Sequence, residues 1–128
     1  MKLNDIEINL KNKFAICFLK VIKDNLGSKN PLYFCGGKSE KRQEILTAFI
    51  NEHEGKYKIN CVSSKDTSSI DNIDTDLLII TNLESIESNP KLQEKVLNII
   101  KDRKEKQKQI IIDSNKEIVD LQVNYKLK

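Results

Sequence analysis

Asn30-Pro31-Leu32-Tyr33-Phe34-Cys35-Gly36-Gly37 reads as a strand running straight into a tight turn. The proline pushes Asn30 toward extended backbone. Leu32 to Cys35 is then wholly apolar, with none of the alternation that a strand facing water on one side would show. Such a run suits a strand buried on both faces, the habit of parallel sheets covered by helices. Gly36-Gly37 ends it, and from Glu40 to Asn51 the apolar residues Ile45, Leu46, Phe49 and Ile50 fall at helical spacing. A buried strand, a glycine turn and a helix form the unit from which the rest of the chain is read.

Upstream, Lys11 to Leu26 carries Phe14, Cys17, Phe18, Val21 and Ile22 at helical spacing, and Gly27 stops it. Downstream, Lys56 to Ser63 and the continuous apolar run Asp76 to Thr81 read as strands. Asn89-Pro90 opens a long helix, with Asn89 placed to cap and Pro90 at the first helical position, where a missing N–H removes nothing. Leu92, Val96, Ile99 and Ile100 form its apolar face. Gln109 to Asp113 is another buried strand, and Leu121 to Leu127 alternates Leu121, Val123, Tyr125 and Leu127 in the pattern of an edge strand. This order predicts an α/β fold of three layers, a mostly parallel five-stranded sheet between helices.

Composition agrees. With 128 residues, 38% hydrophobic, 32% charged and a net charge of +3, the chain fits one domain spanning 1–128 and neither a disordered nor a collagenous class. No apolar run approaches the roughly 18 to 20 residues that cross a bilayer, and Met1 to Lys13 lacks the apolar segment of a secretory signal, so a cytoplasmic location is expected. Cys17, Cys35 and Cys61 lack metal or redox spacing and are expected to be buried free thiols. His53, in Asn51-Glu52-His53-Glu54-Gly55, is expected at the surface, and no metal site is expected. Twenty lysines stand against two arginines, Arg42 and Arg103, which speaks weakly for nucleic-acid readout. Lys91 to Lys108 carries seven basic residues against three acidic, whereas Asp66 to Glu87 carries six acidic and none basic. Lys101, Arg103, Lys104, Lys106 and Lys108 form the candidate interaction patch.

In a parallel α/β sheet ligands bind beyond the carboxyl ends of the strands, so the turn after Cys35 is the first place for a phosphate loop. Gly36, Gly37, Lys38 and Arg42 are its candidate phosphate-binding residues. Asn30 to Gly37 here resembles the strand and turn NPLFIYGG of the AAA+ core of the bacterial replication initiator DnaA and its shorter Hda-type relatives. Four more pieces fall in that family's order: Asn12-Lys13-Phe14-Ala15, the strand ending Val62-Ser63-Ser64, Asp76 to Ile86 at the position of DVLLIDDIQFL, and Lys108 to Asn115 at the position of KQIVISSD. The resemblance runs from about Asn9 to Glu117 and implies a P-loop NTPase-like core.

The departures from the family pattern shape the functional expectation. A working loop reads GxxxxGK[ST], since lysine reaches the terminal phosphates and the hydroxyl holds Mg²⁺. At the matching positions Ser39 and Lys41 stand where glycines belong, Arg42 replaces the lysine, and Gln43 replaces the hydroxyl residue. Thr81 and Asn82 take the places of the two acidic residues that hold the metal and activate water, and Asn115 stands at the sensor position. Only 12 residues separate Ser63 from Asp76, too few for the helix pair that grips single-stranded DNA in the initiator. A helical lid and an arginine finger are not expected either. The expectation is therefore a non-catalytic DnaA-like module without a bound cofactor, not an ATPase, that binds a replication initiator or replisome component and regulates replication initiation. The alternatives are a weak ATP or ADP binder, and a protein whose lysine patch holds nucleic acid.

Overall fold

The structure is a computed structural model that describes residues 19–20, 31–35, 39–53, 55–69 and 75–116. Its elements are β1 (Leu32–Cys35), α1 (Ser39–His53), β2 (Ile59–Ser63), β3 (Leu77–Thr81), α2 (Pro90–Glu105) and β4 (Gln109–Ser114), with 3₁₀ turns at Ser64–Ser69 and Leu83–Ile86. All strand pairings are parallel, in the order β1-β4-β3-β2. The described residues thus form four strands, not five. The expected fifth strand at Leu121 to Leu127 lies outside the described residues, as does the helix expected at Lys11 to Leu26 apart from residues 19–20, which are helical.

The continuous apolar strands explain the layering. β3 and β4 occupy the middle of the sheet, and consecutive residues in them feed opposite cores. Leu77, Ile79 and Ile111 join Leu19, Phe34 and the α1 residues Ile45, Leu46, Ala48 and Phe49 on one face. Leu78, Ile80, Ile110 and Ile112 join Leu83, Ile86 and the α2 residues Val96, Leu97 and Ile100 on the other. Each fully buried Leu or Ile side chain contributes about 1.5–3 kcal/mol relative to exposure. A three-layer arrangement follows, since neither face of the sheet can be left to water.

The start of α2 forms as its sequence predicts. Asn89 is extended (φ −123°, ψ 90°), its side chain accepts the Leu92 N–H, and Pro90 opens the helix. Asn89→Ala is expected to lower stability by about 1 kcal/mol, read as a shifted urea midpoint at constant slope. At the other end, Gln107 takes φ 55°, where glycine is usual. The N–H groups of Gln107 and Lys108 return to the carbonyls of Lys104 and Arg103, closing the helix before β4 begins.

Two residues sit elsewhere than their sequence suggests. His53 is buried at 3% exposure, not on the surface: its Nδ1 lies 2.8 Å from the Phe49 carbonyl, and its ring packs between Phe49 and Tyr57 at centroid distances of 4.5 and 5.6 Å. A turn through Gly55 at φ +85° folds Tyr57 back over the helix end, and this covers the imidazole. Cys61 is a free thiol and is exposed, because among the described residues β2 pairs only with β3 and ends the sheet. Atoms packed around it and the Asp113 carboxylate still push its thiol pKa up. Cys17 and the side chain of Cys35 lie outside the described residues.

Candidate phosphate site at the carboxyl ends of the strands

The candidate loop residues Gly36, Gly37 and Lys38 lie outside the described residues, and Arg42 is the member of the set that the structure places. Arg42 sits in the first turns of α1. It is not on an exposed turn: the residue is 5% accessible. Its Nε donates to Asp113 Oδ1 at 2.6 Å, and its Nη2 donates to Asn115 Oδ1 at 2.6 Å. The Arg42–Asp113 ion pair is enclosed, with side-chain exposures of 6% and 1%.

This geometry follows from the sheet. β4 lies between β1 and β3, so its carboxyl end emerges at the centre of the site, with Phe34 opposite Asp113 and Cys35 opposite Ser114. Asp113 continues the face of Ile111, the face that α1 covers, which points its carboxylate at the helix's first turns. Nε–H and the neighbouring Nη2–H of a guanidinium form one flat fork that takes two oxygens side by side. In this chain both oxygens of that fork come from β4 and the residue after it.

Thr81 and Asn82, which the sequence resemblance sets at the metal-ligand and base positions, lie at and just after the end of β3. Thr81 Oγ1 donates to the Val62 carbonyl at 3.4 Å across the β2–β3 pair. Asn82 takes left-handed backbone (φ 58°, ψ 47°), and its carbonyl accepts from Ser64 Oγ at 2.6 Å and Ser85 Oγ at 2.8 Å. Glu84, on the following 3₁₀ turn, accepts the Asn115 N–H at 3.1 Å, and Lys116 pairs with Glu87 at 2.8 Å. The carboxyl ends of β3 and β4 are thereby tied together by side chains of the chain itself. Among the described residues no three His, Cys, Asp or Glu side chains converge as a metal site, and no helix is long and apolar enough to cross a membrane.

The lysine-rich patch lies at the opposite end of the sheet, where α2 ends and β4 begins. Lys101, Lys104 and Lys106 are exposed, with Lys106 paired to Asp102 at 3.2 Å, and Lys108 is half-buried. Arg103 does not belong to this patch. It is 2% accessible, its Nε and Nη2 donate to the Gln109 carbonyl at 3.2 and 2.8 Å, and Nη2 also donates to the Thr75 carbonyl at 3.0 Å. Sequence reasoning missed both enclosed guanidiniums, yet a signal was present. In a chain with 20 lysines, the two positions that use arginine are those where a planar fork is required.

No protein-family model and no curated protein matches the sequence. Among solved structures, AMPPCP-bound DnaA from Aquifex aeolicus superposes with a TM-score of 0.85 at 22% identity, over 98% of this chain. The chain has the fold of the DnaA AAA+ core. Replication initiator DnaA bound to AMPPCP and single-stranded DNA gives a TM-score of 0.84 at 23% identity, and domain III of DnaA from Thermotoga maritima gives 0.79 at 16%. The present chain spans 45% of the first two of these chains and 61% of the third. The DnaA likeness puts Arg42, Thr81, Asn82 and Asn115 within an AAA+ architecture, at the end of the sheet where such folds receive ligands.

Proposed function

We propose that this chain is a non-catalytic DnaA-like AAA+ module that acts in the cytoplasm by binding a protein of the replication initiation apparatus. The observation that carries the reading is the state of Arg42. At the position where the family's loop places its phosphate-gripping lysine, the cation is already enclosed by Asp113 and Asn115. Drawing Arg42 onto a nucleotide leaves Asp113 buried without its partner, a loss of about 3–5 kcal/mol that phosphate contacts must first offset. Thr81 and Asn82 bring no negative charge for Mg²⁺ and no general base at neutral pH. The fold then serves as a scaffold for surfaces, of which the exposed Lys101, Lys104 and Lys106 are the candidate contact.

The test is a titration with ATP and ADP, with and without Mg²⁺, followed by thermal shift and phosphate release. No change in melting temperature at millimolar nucleotide and no hydrolysis above buffer are expected, since a ligand that binds the folded state must raise apparent stability. Hydrolysis lost on replacing Arg42 would overturn the reading. Solved structures with this fold are bound to AMPPCP, which favours one second reading, a weak ATP or ADP binder. In that case a melting shift appears without phosphate release. Capture of a replication protein by the wild-type chain, reduced when Lys101, Lys104 and Lys106 are replaced together, is the outcome that supports the binding role.

A further inference from the structure

We propose that the amino ends of β2, β3 and β4 and the last turns of α2 form one docking surface for an acidic protein segment, in which Lys58 and Lys108 join Lys101, Lys104 and Lys106. The inference rests on the binding role proposed above and names the chemistry of the partner. Strand register brings these lysines together. Leu77 stands opposite Ile59 on one side and Gln109 on the other, so Lys58, Asp76 and Lys108 occupy the positions just before that row. Adjacent strands lie about 4.8 Å apart, which sets the backbones of the two lysines about 10 Å apart with Asp76 between them. Hydrogen bonds hold the row in place: the Asp76 N–H donates to the Lys58 carbonyl at 2.9 Å, and the Lys58 N–H donates to Asp76 Oδ2 at 2.8 Å. The end of α2 is tied to the same row. Arg103 donates to the Thr75 carbonyl at 3.0 Å, and its own carbonyl accepts the Lys108 N–H at 2.9 Å. Lys58 and Asp76 are exposed and Lys108 is half-buried, so the lysines of the helix end continue across the start of the sheet.

The mixture of charges selects the partner. The five lysines stand among the exposed Asp76, Asp102 and Glu105, and Lys106 pairs with Asp102 at 3.2 Å. A nucleic-acid backbone carries a negative charge at every step and sets some of its phosphates against these carboxylates. A protein segment can place its own carboxylates on the lysines and neutral or donor groups on Asp76 and Glu105, which is the complementarity that fixes register between charged surfaces. The groups that suit nucleic acid best are engaged elsewhere. Both arginines of the chain are enclosed, and Tyr57, at this end of the sheet, is stacked on His53.

The experiment follows the fluorescence anisotropy of a labelled peptide of alternating glutamate and serine, titrated with the full chain in the absence of nucleotide. Binding at low salt that weakens at physiological salt is expected, since exposed charges are screened. K58Q/K108Q is expected to weaken it about three- to tenfold, the effect of losing two exposed ion pairs. D76N keeps an oxygen for the Lys58 N–H, removes the carboxylate between the two lysines, and is expected to tighten binding about two- to fivefold. K41Q/K65Q, which alters two exposed lysines at the carboxyl-end side of the sheet, should match wild type. No binding by wild type at low salt, unchanged binding by K58Q/K108Q, or an equal loss in K41Q/K65Q would overturn the proposal. Tighter binding of an oligothymidylate of the same charge would overturn it too, by giving the surface to nucleic acid. Should K58Q/K108Q fail to fold because Lys108 is half-buried, K58Q and D76N decide: opposite changes in affinity support the surface, and no change in either refutes it. Phosphate release from ATP, or failure to capture a replication protein by a chain that binds the acidic peptide, defeats the reading above and leaves the docking surface standing.

Discussion

Replacing Arg42 with alanine is expected to destabilise the chain by about 3–5 kcal/mol, the effect of stripping one partner from a buried ion pair. The loss has two parts. Asp113, 1% exposed in its side chain, keeps a charge in a place from which water is excluded, and the Asn115 amide loses its donor. Urea denaturation measures the loss as a drop in midpoint at unchanged slope. The double replacement R42M/D113L separates pairing from packing. Two apolar side chains of similar bulk leave no orphaned charge, and buried pairs replaced in this way are often neutral or gain about 1–4 kcal/mol. The double variant should therefore be more stable than R42A. A loss below about 1 kcal/mol for R42A would instead place the pair in solvent, where exposed ion pairs contribute that little.

The parts of the fold legible in the sequence are those governed by local pattern. Leu77 to Ile80 and Ile110 to Ile112 are apolar at every position, and that alone marks strands covered on both faces, which β3 and β4 are. Asn89-Pro90 carries its own capping chemistry, and the helix begins there. What escaped were long polar side chains whose partners are distant in sequence. A reading of Arg42 and Arg103 within their own segments finds polar and charged neighbours, Lys41, Gln43 and Glu44 in one case and Asp102, Lys104 and Glu105 in the other, and sends both to the surface. Their burial depends on Asp113 in one case, and on the Thr75 and Gln109 carbonyls in the other. His53 fails for a related reason, since its cover comes from Tyr57 beyond a turn. Cys61 errs in the opposite direction: strand order, which periodicity does not encode, puts its strand at an edge of the described sheet. At the candidate site, Gly36, Gly37 and Lys38 lie outside the described residues, and the pairing of Arg42 with Asp113 and Asn115 was not legible.

Arg103→Ala is expected to be the second large loss, roughly 3 kcal/mol. Arg103 leaves the last turns of α2, and its donors reach the carbonyls of Gln109 and Thr75, the first residue of β4 and a residue two before β3. These are the amino ends of the two central strands. One planar guanidinium donates to both carbonyls. Truncation removes these donors, and losing a buried hydrogen-bond partner costs about 1–3 kcal/mol. It also empties a volume next to the helix end, because the residue is 2% accessible. Arg103→Lys tests geometry against charge. An ammonium on a flexible stem is a point donor that cannot reproduce the fork, so lysine should recover less than half of the lost stability. Since Lys101, Lys104 and Lys106 project from the same helix end, both variants also separate fold from function. If the exposed lysines make the contact, partner binding by R103K should match wild type under conditions where the variant remains folded. A parallel loss of binding and retained stability in R103K would mean that Arg103 itself reaches the partner, contrary to its enclosure.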